Sequence, residues 1–206
     1  MALWTHQVRS GETVSQLAIE YKSSVPDIVR ASGLPNPNWI IPGQKLLIPA
    51  PDFNYPKEEL ELWARLLYVA YAGPLSETTA ITQYSYQQVL WDDIEAKEVL
   101  FRISLDEMEH LNSIAQILKN LGCEPRYWVV DGEPVYWDAS LVNYAPDPRE
   151  MLESDIHSEF HAVRSYRELI NRIPEQFIKT RITHILNEEE KHIRQFESLL
   201  KKARRK

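Results

Sequence analysis

Two stretches of the sequence place a glutamate three residues ahead of a histidine. They are Glu107 and His110 in SLDEMEHLNS, and Glu189 and His192 in ILNEEEKHIRQF. The chain has only six histidines, so a repeated carboxylate–imidazole pair is an unusual use of them. On an α-helix, residues three apart lie about 60° from each other on one face. A single metal ion can touch both side chains. Two such helices facing each other hold two ions, provided that each of two further helices adds one glutamate.

The sequence supplies those glutamates. Glu77 stands in SETTAITQYSYQ, and Glu159 stands in MLESDIHSEFHAVRSYRELI with Ile156, Phe160 and Val163 around it. Glu77 and Glu107 are 30 residues apart, and so are Glu159 and Glu189. Equal spacing across two antiparallel hairpins brings both pairs to matching depth. Four buried carboxylates without partners would cost more than a fold of this size can spare. Two divalent ions neutralise them, and neutral imidazoles complete the ligand shell. Oxygen and imidazole donors without thiolate suit iron or manganese. The competing reading, solvated face residues that match a short motif by chance, does not account for the paired spacing. The candidate catalytic and metal-ligating residues are therefore Glu77, Glu107, His110, Glu159, Glu189 and His192. Tyr84 and Gln88 follow Glu77 at helical intervals that keep them near its direction, which places Tyr84 behind the ligands as an electron donor or as packed core. His157 and His161 fall on the opposite side of the helix from Glu159.

The elements that must position these residues are long helices. Apolar residues recur at three- and four-residue spacing over about 57–91, 93–121, 147–172 and 174–203. Gly73-Pro74 kinks or restarts the first block, because Pro74 has no N–H to bond to Ala70. Trp91-Asp92-Asp93 and Ile173-Pro174 allow only tight reversals. The segment between the second and third blocks, CEPRYWVVDGEPVYWDASLVNYAPDP, is long enough to run the length of the bundle. The expected class is mainly α: a four-helix bundle with one long crossover, the ferritin-like arrangement. Two stacked hairpins are the alternative, and the pairing of the chemistry disfavours it.

Ahead of the bundle lies a different composition. Residues 51–206 carry all of the acidic excess, and the seam IPAPDFNYP resists both helix and sheet. This divides the chain into residues 1–50, a linker at 51–56, and the bundle at 57–206. The first piece reads as strand, helix, helix, strand. His6 to Arg9 alternates, Thr13 caps a helix containing Val14, Leu17, Ala18 and Tyr21, a second helix starts at Val25 and ends at Gly33, and Lys45 to Pro49 closes as a strand.

HQVRSGETVSQLAIEYKSSVPDIVRASGLPNPNWIIPGQKLLIP resembles a LysM domain, through its Gly-Glu-Thr turn, L-A-x-x-Y, the Gly-Leu-x-Asn loop and P-G-Q-K-L-x-I-P. The resemblance implies binding of N-acetylglucosamine-containing glycans, peptidoglycan or chitin. The groove it implies has Gly11, Glu12, Thr13 and Val14 facing Leu34, Pro35, Asn36, Asn38 and Ile40. Glu12 stands where that family most often has Asp. In the second piece ETTAITQY, LDEMEH, MLESDIHSEFHAVRSYRELI and ILNEEEKHI resemble the four helices of bacterioferritin. The same region is similar to rubrerythrins and manganese catalases. The resemblance implies two divalent ions per chain, iron or manganese, on the six residues named, with the positions of Glu107 and Glu189 bridging and those of Glu77 and Glu159 terminal. Met108 matches the haem-ligating methionine of bacterioferritin, and plain packing is the favoured reading, so no haem is expected.

Composition excludes other classes. A net charge of −7 argues against a nucleic-acid partner. No apolar run is long enough for a membrane span. Cys123 is the single cysteine, so neither an internal disulfide nor a rubredoxin-type iron site can form, and the electron relay of a rubrerythrin would have to come from another protein. The N-terminus lacks a basic region followed by an apolar core, so the expectation is cytoplasmic synthesis without a secretory signal. With a glycan module attached, that pattern suits a protein assembled onto a spore coat or released to the cell wall. The expected function is a glycan-tethered, homo-oligomeric di-metal oxidoreductase acting on O2 or H2O2 as a ferroxidase or peroxidase. Manganese catalase activity and a structural wall or spore-coat protein with a non-catalytic metal site are the alternatives.

Overall fold

The computed structural model describes residues 3–49, 51–131 and 133–204. The chain divides into two compact units, Met1–Pro56 and Lys57–Lys206.

In the first unit, β1 (Leu3–Gln7) pairs antiparallel with β2 (Lys45–Pro49), Leu3 opposite Pro49 and Gln7 opposite Lys45. Between them lie α1 (Val14–Glu20) and α2 (Val25–Ser32). Thr13 and Gln16 form a reciprocal capping box at the start of α1, and Gly33 ends α2 in the left-handed conformation that glycine adopts at least cost. Alternate strand residues Trp4, His6, Leu46 and Ile48 turn inward onto Leu17, Tyr21 and Ile28. The first strand begins earlier than the alternation from His6 suggests, because Trp4 also pairs and buries its ring.

The second unit is a helical bundle. Its first long helix is interrupted: α3 (Lys57–Ala72) stops, and α4 (Glu77–Leu90) restarts after four residues. The expected break at Gly73-Pro74 has a clear cause. A Cβ on Gly73 would lie 2.4 Å from the Val69 carbonyl oxygen, and Pro74 has no N–H to continue the ladder. The freed backbone groups find side chains. Ser76 caps α4, Thr78 Oγ1 donates to the Tyr71 carbonyl at 2.6 Å, and Thr79 Oγ1 donates to that of Gly73 at 3.1 Å. The restart sets Glu77 at the first position of α4.

Helices α5 (Ile94–Asn120), α6 (Pro148–Arg172) and α7 (Gln176–Ala203) complete the bundle. Short joints make α4 and α5, and α6 and α7, antiparallel partners. Ala96 and Leu100 near the start of α5 share a cluster with Met151 and Leu152 near the start of α6, and with Leu199 and Leu200 near the end of α7. Helices α5 and α6 therefore run parallel, as the long crossover requires. The crossover carries structure that alternation alone does not reveal, a hairpin of β3 (Trp128–Asp131) and β4 (Glu133–Tyr136). It lies along α3 and α4. The Tyr127 ring stacks on Tyr71 at 5.4 Å, Trp137 Nε1 donates to Thr79 Oγ1 at 2.9 Å, and Asn143 N donates to Gln83 Oε1 at 2.8 Å.

Candidate metal centre

All four long-helix positions of the bundle deliver a glutamate to one point in its interior. Glu77, Glu107, Glu159 and Glu189 are each buried, as are His110 and His192. Their donor atoms form two overlapping groups of four that could each hold a metal ion. One contains Glu77, Glu107, His110 and Glu189; the other contains Glu107, Glu159, Glu189 and His192. Glu107 and Glu189 belong to both groups, while Glu77 and Glu159 belong to one each. Helix geometry accounts for this: each E-x-x-H turn points both its members inward, and the shared glutamates sit between the two imidazoles.

The distances show how tightly the groups converge. His110 Nδ1 lies 3.0 Å from Glu107 Oε2 and 3.1 Å from Glu189 Oε1. His192 Nδ1 lies 3.1 Å from Glu107 Oε1 and 3.1 Å from Glu189 Oε2. The two rings stack at 5.8 Å. Both imidazoles therefore present Nδ1 to the centre. Their Nε2 atoms point away, each to an acid on the opposite motif helix: His110 to Glu188 Oε2 at 3.0 Å, His192 to Asp106 Oδ2 at 3.3 Å. Such a partner fixes which ring nitrogen is free to ligate. Asp106 and Glu188 are absent from the sequence-derived set, although the signal was present: an acid immediately precedes the glutamate of each E-x-x-H.

Electrostatics show a group built for cations. Burial, then the charges of Glu107 and Glu189, pushes the Glu77 carboxyl well above its usual range. Burial and the same two neighbours in reverse order do likewise to Glu159. Burial also penalises charge on Glu107, but contacts with His192, Glu77 and His110 outweigh it and hold that carboxyl well below its usual range. Both imidazoles are driven up by the surrounding carboxylates, against the opposing effect of burial. Protein groups alone leave the centre under-satisfied. Glu107 Oε1 and Glu189 Oε1 are buried without a hydrogen bond, since their close imidazole contacts fall outside hydrogen-bond geometry. Acceptors in excess, oxygen and nitrogen only, fit two divalent cations. Cys123 follows α5 in the crossover, away from these donors in sequence, and none of the donor atoms is sulfur.

A further buried layer adjoins the centre. The Tyr84 hydroxyl donates to Glu159 Oε1, and its ring packs on Phe196 at 5.2 Å. One turn before Glu159, Asp155 Oδ1 accepts from Gln83 Nε2 at 2.7 Å and Gln87 Nε2 at 3.0 Å. Burial raises the Asp155 carboxyl to about 7, and Oδ2 has no partner. The inward amides of α4 are Gln83 and Gln87 rather than Gln88, which is only partly buried. Phe160 is also turned outward, 53% exposed, whereas Val163 is buried. His157 and His161 are exposed, in line with their position opposite Glu159. Beside the centre, a cavity of about 210 Å³ opens between the α3–α4 break and α6, with Glu77, Glu107, Glu159 and Glu189 at its inner end.

In the N-terminal unit the expected groove residues have mixed fates. Gly11 turns the chain at φ 86°, and Thr13 Oγ1 is committed to Gln16. Glu12 points inward, its Oε2 accepting from Arg9 N at 2.7 Å and lying 2.7 Å from His6 Nε2. Val14 and Leu34 are buried, so only their backbone groups can meet a ligand. Pro35 and Asn38 are exposed, Asn36 and Ile40 partly so, and Asn36 Oδ1 holds the loop by accepting from Asn38 N at 2.9 Å. Trp39, which the groove assignment passes over, is 70% exposed on that same loop.

The sequence model of the ferritin-like domain matches residues 76–206, and that of the LysM domain matches residues 6–49. The chain belongs to the ferritin-like family. Its N-terminal unit carries a LysM domain. A bacterioferritin of Desulfovibrio desulfuricans is 28% identical over 142 residues, covering 66% of this chain and 74% of that protein. A Clostridium acetobutylicum protein described as a "probable manganese catalase" is 27% identical over 163 residues, 69% of this chain and 72% of that one. Among solved structures, a manganese catalase from Anabaena superposes with a TM-score of 0.64 at 24% identity, covering 68% of this chain and 72% of that chain. A dodecameric thioferritin from Bacteroides fragilis gives 0.57 at 22% identity, covering 71% and 88%. This ferritin-like chain thus has the di-metal carboxylate fold of its relatives and a buried Glu/His cluster within it.

Proposed function

We propose that the protein is a di-metal oxidoreductase that reduces O2 or H2O2 and is held on an N-acetylglucosamine-containing glycan by its LysM domain. The observation that carries the reading is the pair of four-residue groups sharing Glu107 and Glu189. In this reading Glu77 and His110 would hold one ion and Glu159 and His192 the other, each together with the shared Glu107 and Glu189. Two iron or manganese ions would supply paired one-electron redox chemistry there. The protein's own part is to hold the donors and to gate the site. Glu188 and Asp106 keep each Nδ1 available, Tyr84 restrains Glu159, and the cavity beside the centre admits the oxidant. A reductive cycle on this centre would draw its electrons from a donor outside the chain.

The LysM reading rests on the Gly11–Val14 turn and the loop carrying Asn36, Asn38, Trp39 and Ile40. Backbone groups there can bond acetamides, and the Trp39 ring offers a face to a sugar. No described helix is long and apolar enough to cross a membrane. Association with a wall or spore coat would come through the glycan. A stripe of exposed apolar residues on α5, namely Ile94, Phe101, Leu105 and Met108, supports a homo-oligomer through that helix.

The test is metal analysis of the purified full-length chain with peroxide turnover alongside. Consumption of H2O2 only with a reductant supports the peroxidase reading. The manganese catalase reading, favoured by the Clostridium relative, predicts manganese content and O2 evolved without a reductant. Two bound ions with no turnover of Fe(II), O2 or H2O2 would leave a structural wall protein and defeat the oxidoreductase reading.

A further inference from the structure

The cavity at the centre reaches beyond the four glutamates, along the α3–α4 break and α6. Its volume, counting the space between those glutamates that two ions would take, is about 210 Å³. A water molecule's share of liquid is about 30 Å³, and an apolar cavity of roughly 150 Å³ accommodates benzene. Hydrogen peroxide would fill only a small part of it. The space exists because the first long helix is broken: Pro74 and Leu75 of the break form one wall, with Val69 and Ala80 on either side. The facing wall is α6, through Ala162 and Tyr166.

Its chemistry is sorted along its length. The inner end is ionic, made by the four glutamates of the metal centre. The body is mostly apolar in area; of its hydroxyls, Thr79 Oγ1 donates to Gly73 O at 3.1 Å and Ser158 Oγ to Ser154 O at 3.1 Å, whereas that of Tyr166 is buried without a hydrogen bond. A ligand matched to this space has one oxygen-bearing end and an apolar body of about one ring. Such a shape does not describe O2, H2O2 or a hydrated ion.

We propose that the cavity is a binding site for small organic hydroperoxides, ROOH, with the peroxide end at the metal centre and R between the α3–α4 break and α6. The proposal rests on the di-metal reading above for its chemistry, though not for the binding itself. A hydroperoxide keeps the reacting end that H2O2 brings and adds only the apolar body. In the reaction the O–O bond breaks, two electrons and two protons enter, and one ROH and one H2O leave. Two divalent iron or manganese ions held by the six ligands would supply the two electrons, and an external one-electron donor would replace them. The protons come from solvent through the cavity mouth, where His161 stands.

The experiment uses the full-length protein, metal-free and metal-loaded, titrated with cumyl alcohol, the product of cumene hydroperoxide, by ligand-observed NMR. Saturable binding is expected in both forms. Ala162→Phe and, separately, Ala80→Leu fill the space from opposite walls, and each is expected to weaken binding about tenfold or more. The ratio of cumene hydroperoxide turnover to H2O2 turnover should fall about as much in Ala162→Phe. No saturable binding by the wild-type chain, equal binding by both filled variants, or an unchanged turnover ratio overturns the proposal. Metal content of the same samples judges the di-metal reading separately, since the alcohol titration needs no redox chemistry.

Discussion

Three buried histidines in the described chain answer to two different designs. In the LysM domain, His6 spends both ring nitrogens on single partners, Nδ1 on the Tyr21 hydroxyl at 2.9 Å and Nε2 on Glu12 at 2.7 Å. Nothing there is left over. In the bundle, His110 and His192 each keep Nε2 for one acid and turn Nδ1 toward several carboxylates at once. Acceptors there outnumber donors, and two carboxylate oxygens have no hydrogen bond. The lesson is that burial of a histidine does not mark a site. A surplus of carboxylates around it does, because these must either take up protons, as the upward push on Glu77 and Glu159 favours, or bind cations.

The largest test of this contrast is removal of metal. A chelator should lower the thermal stability of the bundle while leaving the LysM transition in place, in a calorimetric scan of the full chain. Ligand present at a thousand times its dissociation constant stabilises the folded state by about 4 kcal/mol. If both transitions move, or neither does, the two units do not differ in the way argued.

Asp155 sharpens the comparison inside the bundle, being a buried carboxylate with amide partners rather than imidazoles. Its folded value, raised by burial to about 7, lies above the unfolded value near 3.9. The folded state therefore binds the extra proton between these limits. Stability from this group is full at low pH, falls as pH rises through that window, and is gone above about pH 7. Three pH units correspond to about 4 kcal/mol at most. Asp155→Asn should flatten that part of the profile relative to the wild type, as seen in urea titrations at pH 5 and pH 8. Parallel profiles for the two proteins would remove Asp155 from the account.

Smaller effects belong to the acids behind the histidines. Glu188→Ala and Asp106→Ala should each weaken metal affinity by about 10- to 100-fold without abolishing it. Glu188 should matter more, since its side chain is 19% exposed against 51% for Asp106. A competition titration with a metal indicator would read this, and unchanged affinity in both would mean that ring orientation is fixed by packing alone. Smallest in stability is Trp39→Ala, expected within about 0.5 kcal/mol of the wild type because the side chain is exposed. Its retention on insoluble peptidoglycan should nevertheless fall, with metal content unchanged. Retention equal to the wild type would take Trp39 out of the glycan contact.

Much of the molecule was legible before any coordinates. The E-x-x-H pairs and the matched 30-residue spacings bring Glu77, Glu107, Glu159 and Glu189 together because helical periodicity is local and regular. The break at Gly73-Pro74 was legible for a similar reason, since proline's missing donor is a property of one residue. What escaped depends on neighbours distant in sequence. The β3–β4 hairpin needs α3 to pack against, and its short strands carry no strong alternation of their own. Phe160 faces outward although helical spacing alone would allow it near the core. Asp106 and Glu188 acquire meaning only once each is opposite the other motif's histidine, some 80 residues away in sequence. Val14 and Leu34 were assigned to a groove wall by position, but their side chains belong to the small domain's core.

The most direct measurement is the metal stoichiometry of the full-length chain after reconstitution with Fe(II) or Mn(II), set beside the Glu107→Ala/His110→Ala variant. Elemental analysis after removal of free metal suffices. The account predicts two ions per chain in the wild type and essentially none in the variant, because Glu107 serves both positions. One ion or none in the wild type, or full occupancy in the variant, would contradict it.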